Sequence, residues 1–377
     1  MTTVPTAVPQ TVSAVKAPDA GSTAGRMVSL DAFRGFTMVC MFSTGFGMLF
    51  FLDHPIVGPI ARQFQHEKWH GMTFWDLIQP FFMFIVGAVM PLSFGRRWQA
   101  GESWRQSFGH VLSRCGLLIF WGLVARSIQA GRPVLDLINV LAQLSFTYLV
   151  AFLVLRQSWK VQAATAGGLL AAHWALYQFV RAPGVTGPWD ADANIGWYLD
   201  HLVLGKNWGK QYAYATINCV SSAANTIFGV MAGRLLISGL PAARKMRILL
   251  VAGVAGILAG LAMDPFVPII KKIWTPSFAI YSGGFTLLAL CLFYWLCDVK
   301  KWQRWAGVFV IVGTNSIFIY LFYEILHRWL NQTALVFTGW AVNWWGPWGQ
   351  LINAWAVILF HIYVCWWLHR RRIFFKL

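Results

Sequence analysis

Long apolar runs recur along almost the whole sequence, and they constrain the fold more than any other feature. Each has roughly 20 residues, the length that a helix needs to cross a bilayer. Only 11% of the 377 residues are charged, against roughly 25% in a soluble domain, and 58% are hydrophobic. The runs lack the period-two alternation of a membrane β-barrel. We therefore predict an all-α polytopic membrane protein that lies in a lipid bilayer, with about ten transmembrane helices.

The ten predicted spans are separated by polar or Gly- and Pro-containing connections. They cover residues 29–52, 73–94, 108–128, 134–155, 161–180, 216–236, 248–263, 277–296, 305–326 and 348–368. Residues 1–26, rich in Thr, Ala, Val, Pro and Ser, are predicted to form a disordered cytoplasmic tail, and residues 27–372 a single transmembrane domain. The predicted outer loops are at about 53–72 and 181–215. A loop as long as the second is more often functional than not.

The distribution of basic residues predicts the orientation of the chain. If the N-terminus is cytoplasmic, about 20 of the 30 Lys and Arg residues face the cytoplasm, and both termini lie there. This rule also accounts for the net charge of +17, so the charge does not indicate a nucleic-acid partner. The six cysteines form no C-x-x-C pair, so we expect neither a disulfide framework nor a cysteine metal site.

Ionisable residues gather in the stretch 65–82, where the second apolar run begins. Such residues are costly at a membrane boundary and are functional candidates by default. His66, Glu67 and His70 spell H-E-x-x-H, the zinc motif in which two histidines bind the metal and the glutamate acts as a base. That motif requires a helix, and Gly71 would end it at once. An intramembrane zinc metalloprotease is therefore one alternative.

A second interpretation of the same stretch makes His66 a general base. The unperturbed pKa of histidine is about 6.5, so an imidazole can accept a proton from a hydroxyl or an amine near neutral pH. Asp76, at the beginning of the next predicted helix, could orient the ring or share its charge. A structural alternative places His66, Trp69 and His70 at the level of the lipid headgroups, as interfacial side chains.

Three other groups of polar residues fall inside apolar runs. Asp31 and Arg34 are three residues apart and share one face of span one, either as a structural ion pair or as a site for an anionic cofactor. Asn315 suits hydrogen bonding between helices. Glu324 and His327 are also three residues apart, and they could face the same cavity as His66.

Five blocks of residues resemble one known family. They are Ser29-Leu30-Asp31-Ala32-Phe33-Arg34-Gly35, His66-x-x-Trp69-x-Gly71-x-Thr73-x-x-Asp76-Leu77, Pro80-x-Phe82-x-Phe84-Ile85-x-Gly87, Ile273-Trp274-Thr275-Pro276-Ser277-Phe278 and Gly313-Thr314-Asn315-Ser316-Ile317. Together, over about residues 27–330, they resemble the catalytic domain of the heparan-α-glucosaminide N-acetyltransferase family and its bacterial relatives with a DUF5009-type domain.

The resemblance implies a transmembrane acyltransferase-type bundle in the cytoplasmic (inner) membrane of a bacterium. Acetyl-CoA would enter from the cytoplasm as co-substrate, and the acetyl group would reach an amine or hydroxyl of a sugar or glycan on the outer face. The catalytic histidine of the family corresponds to His66. The position aligned with His70 is not always histidine in the wider family, so no metal is expected. A second copy of the chain, forming a homodimer, is a further candidate partner.

The family pattern also assigns provisional roles to the remaining candidates. Relatives of the human type carry an asparagine ten residues after the glycine that corresponds to Gly35, and this chain has Gly45 there. A hydroxyl of Ser43 or Thr44, or the amide of Asn315, is the predicted replacement that polarises the acetyl carbonyl. Ser43 and Thr44 are therefore expected, with Asp31 and Arg34, to bind the acetyl-CoA. Arg34, with Asp31, is expected to hold the CoA phosphates. The residues expected on the substrate side are Trp69, His70, Glu324 and His327.

Two further functions stay open at this point. A proton-coupled secondary transporter would use buried Asp, Glu and His side chains as a proton relay, although the sequence shows no convincing internal repeat of the kind that transporters often have. The second alternative is an acyltransferase-like protein that has lost its activity. It stays open because the asparagine of the human type is missing.

Overall fold

The computed structural model describes residues 27–205 and 214–375, and the regular structure in these ranges is helical. The predicted tail, residues 1–26, lies outside the described residues. In chain order the helices are α1 (Val28–Phe42), α2 (Gly58–Arg62), α3 (Ile78–Gln99), α4 (Trp104–Ala130), α5 (Val140–Leu153), α6 (Trp159–Phe179), α7 (Ile195–Leu204), α8 (Asn218–Ile237), α9 (Ala242–Met263), α10 (Pro276–Tyr294), α11 (Gly307–Thr314), α12 (Ser316–Trp345) and α13 (Pro347–Arg370). The all-α polytopic class is thus confirmed.

When helix length and apolar composition are the criteria, the candidate membrane spans are fewer than predicted. In the described ranges six helices satisfy both criteria, or eight if each of two bent helix pairs counts as one span. Helices α5 and α6 lie in two further predicted spans, but they do not satisfy both criteria. The run 134–155 yields only the 14 residues of α5, because the Asn139 side chain accepts a hydrogen bond from the backbone N–H of Ala142 and begins the helix there.

The ninth predicted span is not one straight helix. Helices α11 and α12 meet at 79° beside Asn315, and α12 then continues for 30 residues to Trp345. The predicted end of this span at Leu326 is therefore wrong. Polar residues such as Arg328 and Asn331 interrupt the apolar run, but they do not interrupt the helix.

Glycines allow the central helices α3 and α8 to approach each other backbone to backbone. A Cβ atom on Gly87 of α3 would lie 1.9 Å from the Thr226 carbonyl oxygen of α8. From the other side, a Cβ on Gly229 would lie 2.0 Å from the carbonyl oxygen of Phe84. This contact through small residues is typical of membrane helices, and it fixes α3, which begins just after the candidate site.

Three loops converge at the end of the bundle where α3 begins. The indole N–H of Trp69 donates to the backbone carbonyl of Trp189, 3.0 Å away. The backbone N–H of Gly71 donates to the carbonyl of Ile269 at 2.8 Å. The loop 53–72 and the contacting part of the stretch 181–205 therefore lie at the same end, and the connection 264–275 between α9 and α10 joins them.

The bend in the first span is a run of left-handed backbone, which we call the left-handed turn. Its residues Thr44, Gly45, Phe46 and Gly47 have φ angles of 47°, 81°, 54° and 76°. Helix α1 ends just before this turn, and the next segment, Thr44–Phe51, is tilted by 46° relative to α1. Because the chain changes direction here, Thr44 faces the inside of the bundle, at the same end as His66.

Candidate active site

Asp76 is a buried residue of the site whose carboxylate is held by several hydrogen bonds. It lies in a short 3₁₀ turn, Phe74–Leu77, that leads into α3, and it is fully buried. Its Oδ2 atom accepts hydrogen bonds from the backbone N–H groups of Thr73 (3.0 Å) and Glu67 (3.2 Å) and from the Thr73 hydroxyl (3.1 Å). Three donors on one oxygen hold the carboxylate in a single orientation and leave Oδ1 free for other partners.

His66 is the first partner of that second oxygen. Its Nδ1 atom lies 2.8 Å from Asp76 Oδ1, so the ten residues between them close a compact loop. When Nδ1 carries the proton and donates it to the carboxylate, Nε2 is left as an unprotonated acceptor. The imidazole then has the tautomer and the orientation that a general base needs.

Lys271 is the second partner, and the sequence analysis did not single it out. Its Nζ atom lies 3.2 Å from Asp76 Oδ1 and 3.0 Å from His66 Nδ1, and its side chain is only 5% exposed. Lys271 comes from the connection between α9 and α10, two residues before the block 273–278 that carries part of the family resemblance. That proximity was the one available signal for it.

The surroundings of His66 favour its neutral form. Burial lowers the pKa of His66 below its ordinary value of 6.5. The hydrogen bond with Asp76 opposes this shift, while the positive charges of Lys271 and Lys272 reinforce it. Burial and the lysine charges together thus favour the neutral imidazole, which is the form that can accept a proton.

His66 lines a cavity of about 490 Å³, which we call the histidine cavity. Its polar lining includes Thr44, Gln79, Arg126, Tyr214, Lys271 and Glu324. Aromatic rings, among them those of Trp75 and Tyr320, cover much of the rest. A mostly apolar cavity with a few convergent polar groups is the usual form of a small-molecule site.

Glu324, one of the residues predicted on the substrate side, lines this cavity. Its Oε2 atom accepts a hydrogen bond of 2.5 Å from Gln129 Nε2. Arg126, another lining residue, is paired with Asp136 at 2.8 Å and donates to Gln129 Oε1 at 2.8 Å. The carboxylate and the guanidinium are therefore held in place by neighbours that do not line the cavity.

The other residues expected on the substrate side are distributed more widely. Trp69 is bonded to Trp189, and His70 pairs through Nε2 with Asp264 Oδ1 at 2.9 Å. Neither Trp69 nor His70 lines the histidine cavity. His327 lines a separate, smaller cavity.

The residues expected to bind the cofactor are separated in the same way. Arg34 and Asp31 form an ion pair of 3.0 Å in the first half of α1, away from the histidine cavity. The Ser43 hydroxyl is buried and donates to the Cys40 carbonyl at 2.8 Å. Of these four predicted cofactor residues, only Thr44 lines the cavity.

Asn315 is not brought to the histidine cavity. Its side-chain Nδ2 donates to the Ile373 carbonyl at 3.0 Å, and its Oδ1 accepts from the Phe375 N–H at 2.9 Å. The amide is fully buried and holds the segment that follows α13 against the break between α11 and α12. The role in polarising the acetyl carbonyl that was predicted for it does not fit this position.

The H-E-x-x-H segment does not have the geometry of a zinc site. Residues 66–70 are not helical, so His66 and His70 do not share a helix face. The two imidazoles are instead paired with different carboxylates, Asp76 and Asp264. Within the described ranges, no three His, Cys, Asp or Glu side chains are grouped as a metal ion would require.

Together, the fold and the site define a multi-pass helical membrane protein with a His–Asp–Lys cluster at the mouth of a cavity. The chain is 26% identical, over 369 residues, to the heparan-α-glucosaminide N-acetyltransferase of Mus musculus and 24% identical, over 365 residues, to that of Homo sapiens. These matches cover 81% and 80% of this chain and 54% and 53% of the relatives, so the chain spans about half the length of the curated relatives it matches.

A family model described as a domain of unknown function, DUF5009, matches residues 26–182. With the two transferases, this match confirms the resemblance that the five sequence blocks predicted. The chain is a membrane protein similar to heparan-α-glucosaminide N-acetyltransferase, with a DUF5009 match that includes His66 and Asp76.

Proposed function

We propose that this protein is a transmembrane acetyltransferase that moves the acetyl group of acetyl-CoA to an amine or hydroxyl of a sugar. The observation that carries the proposal is the pair of His66 and buried Asp76, 2.8 Å apart, on the wall of the histidine cavity. The similarity to two N-acetyltransferases supports this choice of reaction. The narrower identity of the acceptor is left to experiment.

The chemistry follows from the orientation of His66. With Nδ1–H bonded to Asp76, Nε2 takes the proton of the acceptor while the acceptor nitrogen or oxygen attacks the thioester carbonyl carbon. The carbon–sulfur bond then breaks, and the CoA thiolate leaves with the proton that the imidazolium returns. Asp76 stabilises the imidazolium between these two steps, as a buried carboxylate beside a catalytic histidine does.

Thr44 is the best-placed group to polarise the acetyl carbonyl. Three candidates were predicted for this task, and of these Thr44 lines the histidine cavity, whereas Ser43 and Asn315 are bonded elsewhere. The left-handed turn gives Thr44 this position. A hydroxyl donor aimed at the developing oxyanion would stabilise the transition state more than the ground state.

The donor would approach from the opposite end of α1. Arg34 precedes Thr44 by ten residues, which corresponds to about 15 Å along a helix. An extended pantetheine arm can bridge such a distance, so Arg34 and its partner Asp31 remain the proposed site of the CoA phosphates. Guanidinium groups bind phosphate through paired hydrogen bonds, which favours an arginine at this position.

Acetyl transfer by the purified protein tests the proposal. The protein is incubated with labelled acetyl-CoA and a panel of amino sugars and glycans, and the labelled products are counted. We expect His66→Ala to lower the rate by about 10²–10⁴-fold, since it removes the general base. His70→Ala, which changes an imidazole outside the cavity, is the matched control and should retain most activity.

Two results would contradict the proposal. Wild-type rates in His66→Ala would show that this imidazole is not the base. Sugar uptake by proteoliposomes without consumption of acetyl-CoA would favour the secondary transporter instead.

A further inference from the structure

A third cavity, of about 940 Å³, lies between helices α6, α8, α9 and α10, and the proposed reaction does not use it. We call it the apolar groove. It shares no lining residue with the histidine cavity. Along α8 it extends from Phe228 to Leu235 and along α9 from Ile248 to Gly256, which is about 10–12 Å at the rise of a helix. The groove is therefore elongated in the direction of the helices.

Close contacts with other helices explain why α8 and α9 leave this space between them. A Cβ atom on Gly233 of α8 would lie 2.2 Å from the Ala88 carbonyl oxygen of α3. A Cβ atom on Gly253 of α9 would lie 2.6 Å from the Leu288 side chain of α10. Small residues at these positions let the helices approach closely. The consecutive helices α8 and α9 thus pack against different neighbours, and the groove lies between them.

The polar groups of the groove are gathered at one end. Among the described residues that line it from α8, α9 and α10, every one except Arg234 is apolar. The other polar lining residues belong to the beginning of α6 or the residue before it, and Arg234 donates to the Gln157 carbonyl there. An elongated space with apolar walls and one polar end has the shape and polarity that suit a lipid chain with its headgroup.

The polar end carries positive charge that is not neutralised. The Arg234 side chain is exposed, and no carboxylate pairs with it in the described part of the chain. Lys160, Arg244 and Arg247 are exposed near the same end, and none of the four helices around the groove contains Asp or Glu. This charge is complementary to a phosphate, which a guanidinium binds through paired hydrogen bonds.

The polar end lies on the side of the bundle opposite to His66. Helix α8 begins beside the candidate site, where Asn218 Nδ2 donates to the Lys272 carbonyl at 2.8 Å, and it ends near Arg234. In the orientation that the basic residues predict, the polar end faces the cytoplasm, where basic pockets between membrane helices bind anionic headgroups. Trp159, which lines this end, is 64% exposed, as expected of an indole at headgroup level.

We propose that the apolar groove binds one anionic phospholipid of the cytoplasmic leaflet, with an acyl chain between α8 and α9 and its phosphate on Arg234. The inference goes beyond the proposed function, since it involves neither the acyl donor nor the acceptor. The pantetheine arm of acetyl-CoA is a poorer occupant, because its amide groups would meet only apolar side chains along these walls. A lipid that contacts both helices stabilises the folded bundle.

Native mass spectrometry of the delipidated protein in detergent tests the charge of the headgroup. The probes are dioleoyl phosphatidylglycerol, which is anionic, and dioleoyl phosphatidylcholine, which has the same chains and no net charge. We expect one phosphatidylglycerol to bind about tenfold more tightly, and Arg234→Gln to remove that preference. Arg244→Gln is the matched control, because Arg244 is exposed near the same end but does not line the groove.

A second pair of variants tests the position of the acyl chain. Ala252 lines the groove from α9, so Ala252→Trp should fill it and weaken the binding of both lipids by about tenfold or more. Ala255→Trp is the control on the same helix, since Ala255 is exposed and does not line the groove. Size-exclusion chromatography verifies that each variant is folded. Glycerol phosphate, a headgroup without chains, should not compete with the lipid.

Several outcomes would overturn the inference: equal binding of the two lipids by the wild-type protein, equal effects of Arg234→Gln and Arg244→Gln, or unchanged lipid binding in Ala252→Trp. Competition by glycerol phosphate would assign the site to a free phosphate, and displacement of the lipid by acetyl-CoA would assign the groove to the donor. Failure of acetyl transfer in a protein that still binds the lipid would contradict the proposed function alone.

Discussion

The charges around His66 determine which form of its imidazole is present. Lys271 and Asp76 form an ion pair of 3.2 Å, and His66 Nδ1 lies 3.0 Å from the ammonium and 2.8 Å from the carboxylate. Without the lysine, the buried carboxylate would favour the imidazolium, which cannot accept a proton. Lys271 thus acts on the reaction through His66 and is a positioning residue.

Replacing Lys271 by methionine should move the acidic limb of the kcat/KM pH profile to higher pH. Activity is lost as pH falls through the pKa of His66, because the protonated ring is not a base. Removing the adjacent positive charge raises that pKa, because the lysine ammonium disfavours the protonated ring. Kinetic titration of wild type, Lys271→Met and Lys272→Met measures the shift, with the smallest change expected for Lys272.

The opposite direction, or no movement in Lys271→Met, would show that Lys271 does not tune His66. Lys272 is a suitable control because it lies over the Tyr214 ring at 4.3 Å and acts on His66 more weakly.

Replacing Asp76 by asparagine should destabilise the fold. The change leaves the Lys271 ammonium buried without a carboxylate, and breaking one side of a buried pair typically costs about 3–5 kcal/mol. Thermal unfolding of the purified protein in detergent gives the comparison. Asp264→Asn weakens the exposed pair with His70 but keeps a carbonyl oxygen that can accept from the Ile269 backbone N–H, so it should cost about 1 kcal/mol or less. Equal loss in both variants would contradict the importance of the buried pair.

The sequence predicted one half of this site and missed the other. His66 and Asp76 are ten residues apart in a polar stretch, so their proximity could be anticipated. Lys271 is 205 residues from His66, and a contact of that range leaves no periodic pattern in a single sequence. Asn315 was misplaced for a related reason, because its partners come from the segment after α13.

At the scale of elements, the left-handed turn is the feature that most affects the site. Non-glycine residues such as Thr44 and Phe46 pay about 1–2 kcal/mol each for a left-handed conformation. Packing offsets this cost, since the Phe46 ring contacts those of Phe64, Trp75 and Trp355. The result is that Thr44 lines the histidine cavity.

Gly87→Ala should destabilise the protein by about 1–3 kcal/mol, the usual cost of overpacking. The added Cβ would meet the Thr226 carbonyl at 1.9 Å and force α3 and α8 apart. The matched control is Gly95→Ala in the same helix, where no atom lies within 4 Å and alanine favours the helix. Thermal midpoints of the two variants should differ in sign relative to wild type, and similar midpoints would contradict the close approach.

Element boundaries were predictable where an apolar run and a helix coincide, as in α13, predicted at 348–368 and observed at Pro347–Arg370. The extension of α12 to Trp345 was not, because hydropathy alone treats Arg328 and Asn331 as the beginning of a loop. Helix α12 continues through both residues because arginine is a good helix former and Asn331 accepts a hydrogen bond from Asn353 of α13 at 2.8 Å.

At the scale of the whole molecule, α3 begins beside the candidate site and carries Arg96 and Arg97 in its last turn, at the other end of the bundle. We expect the site end to face outward. Asp53→Cys, exposed near the site, should react with an impermeant maleimide in intact cells, whereas Ala100→Cys, exposed after α3, should react only after permeabilisation. The native cysteines are buried or half-buried and should contribute little background.

The reverse labelling pattern would place the site in the cytoplasm and would contradict the orientation that the basic residues predict. Labelling of both positions in intact cells would indicate a leaky preparation, for which a cytosolic marker protein is the control.

The separation of Lys271 from its two partners has a consequence for how this site could be inherited. The segment matched by the DUF5009 model, residues 26–182, carries the histidine and the carboxylate, while the lysine and Glu324 lie beyond it. A protein that shared only that segment would keep the base but lose its counterbalancing cation. Its histidine should then become protonated at a higher pH, so relatives with different second halves could work in compartments of different acidity.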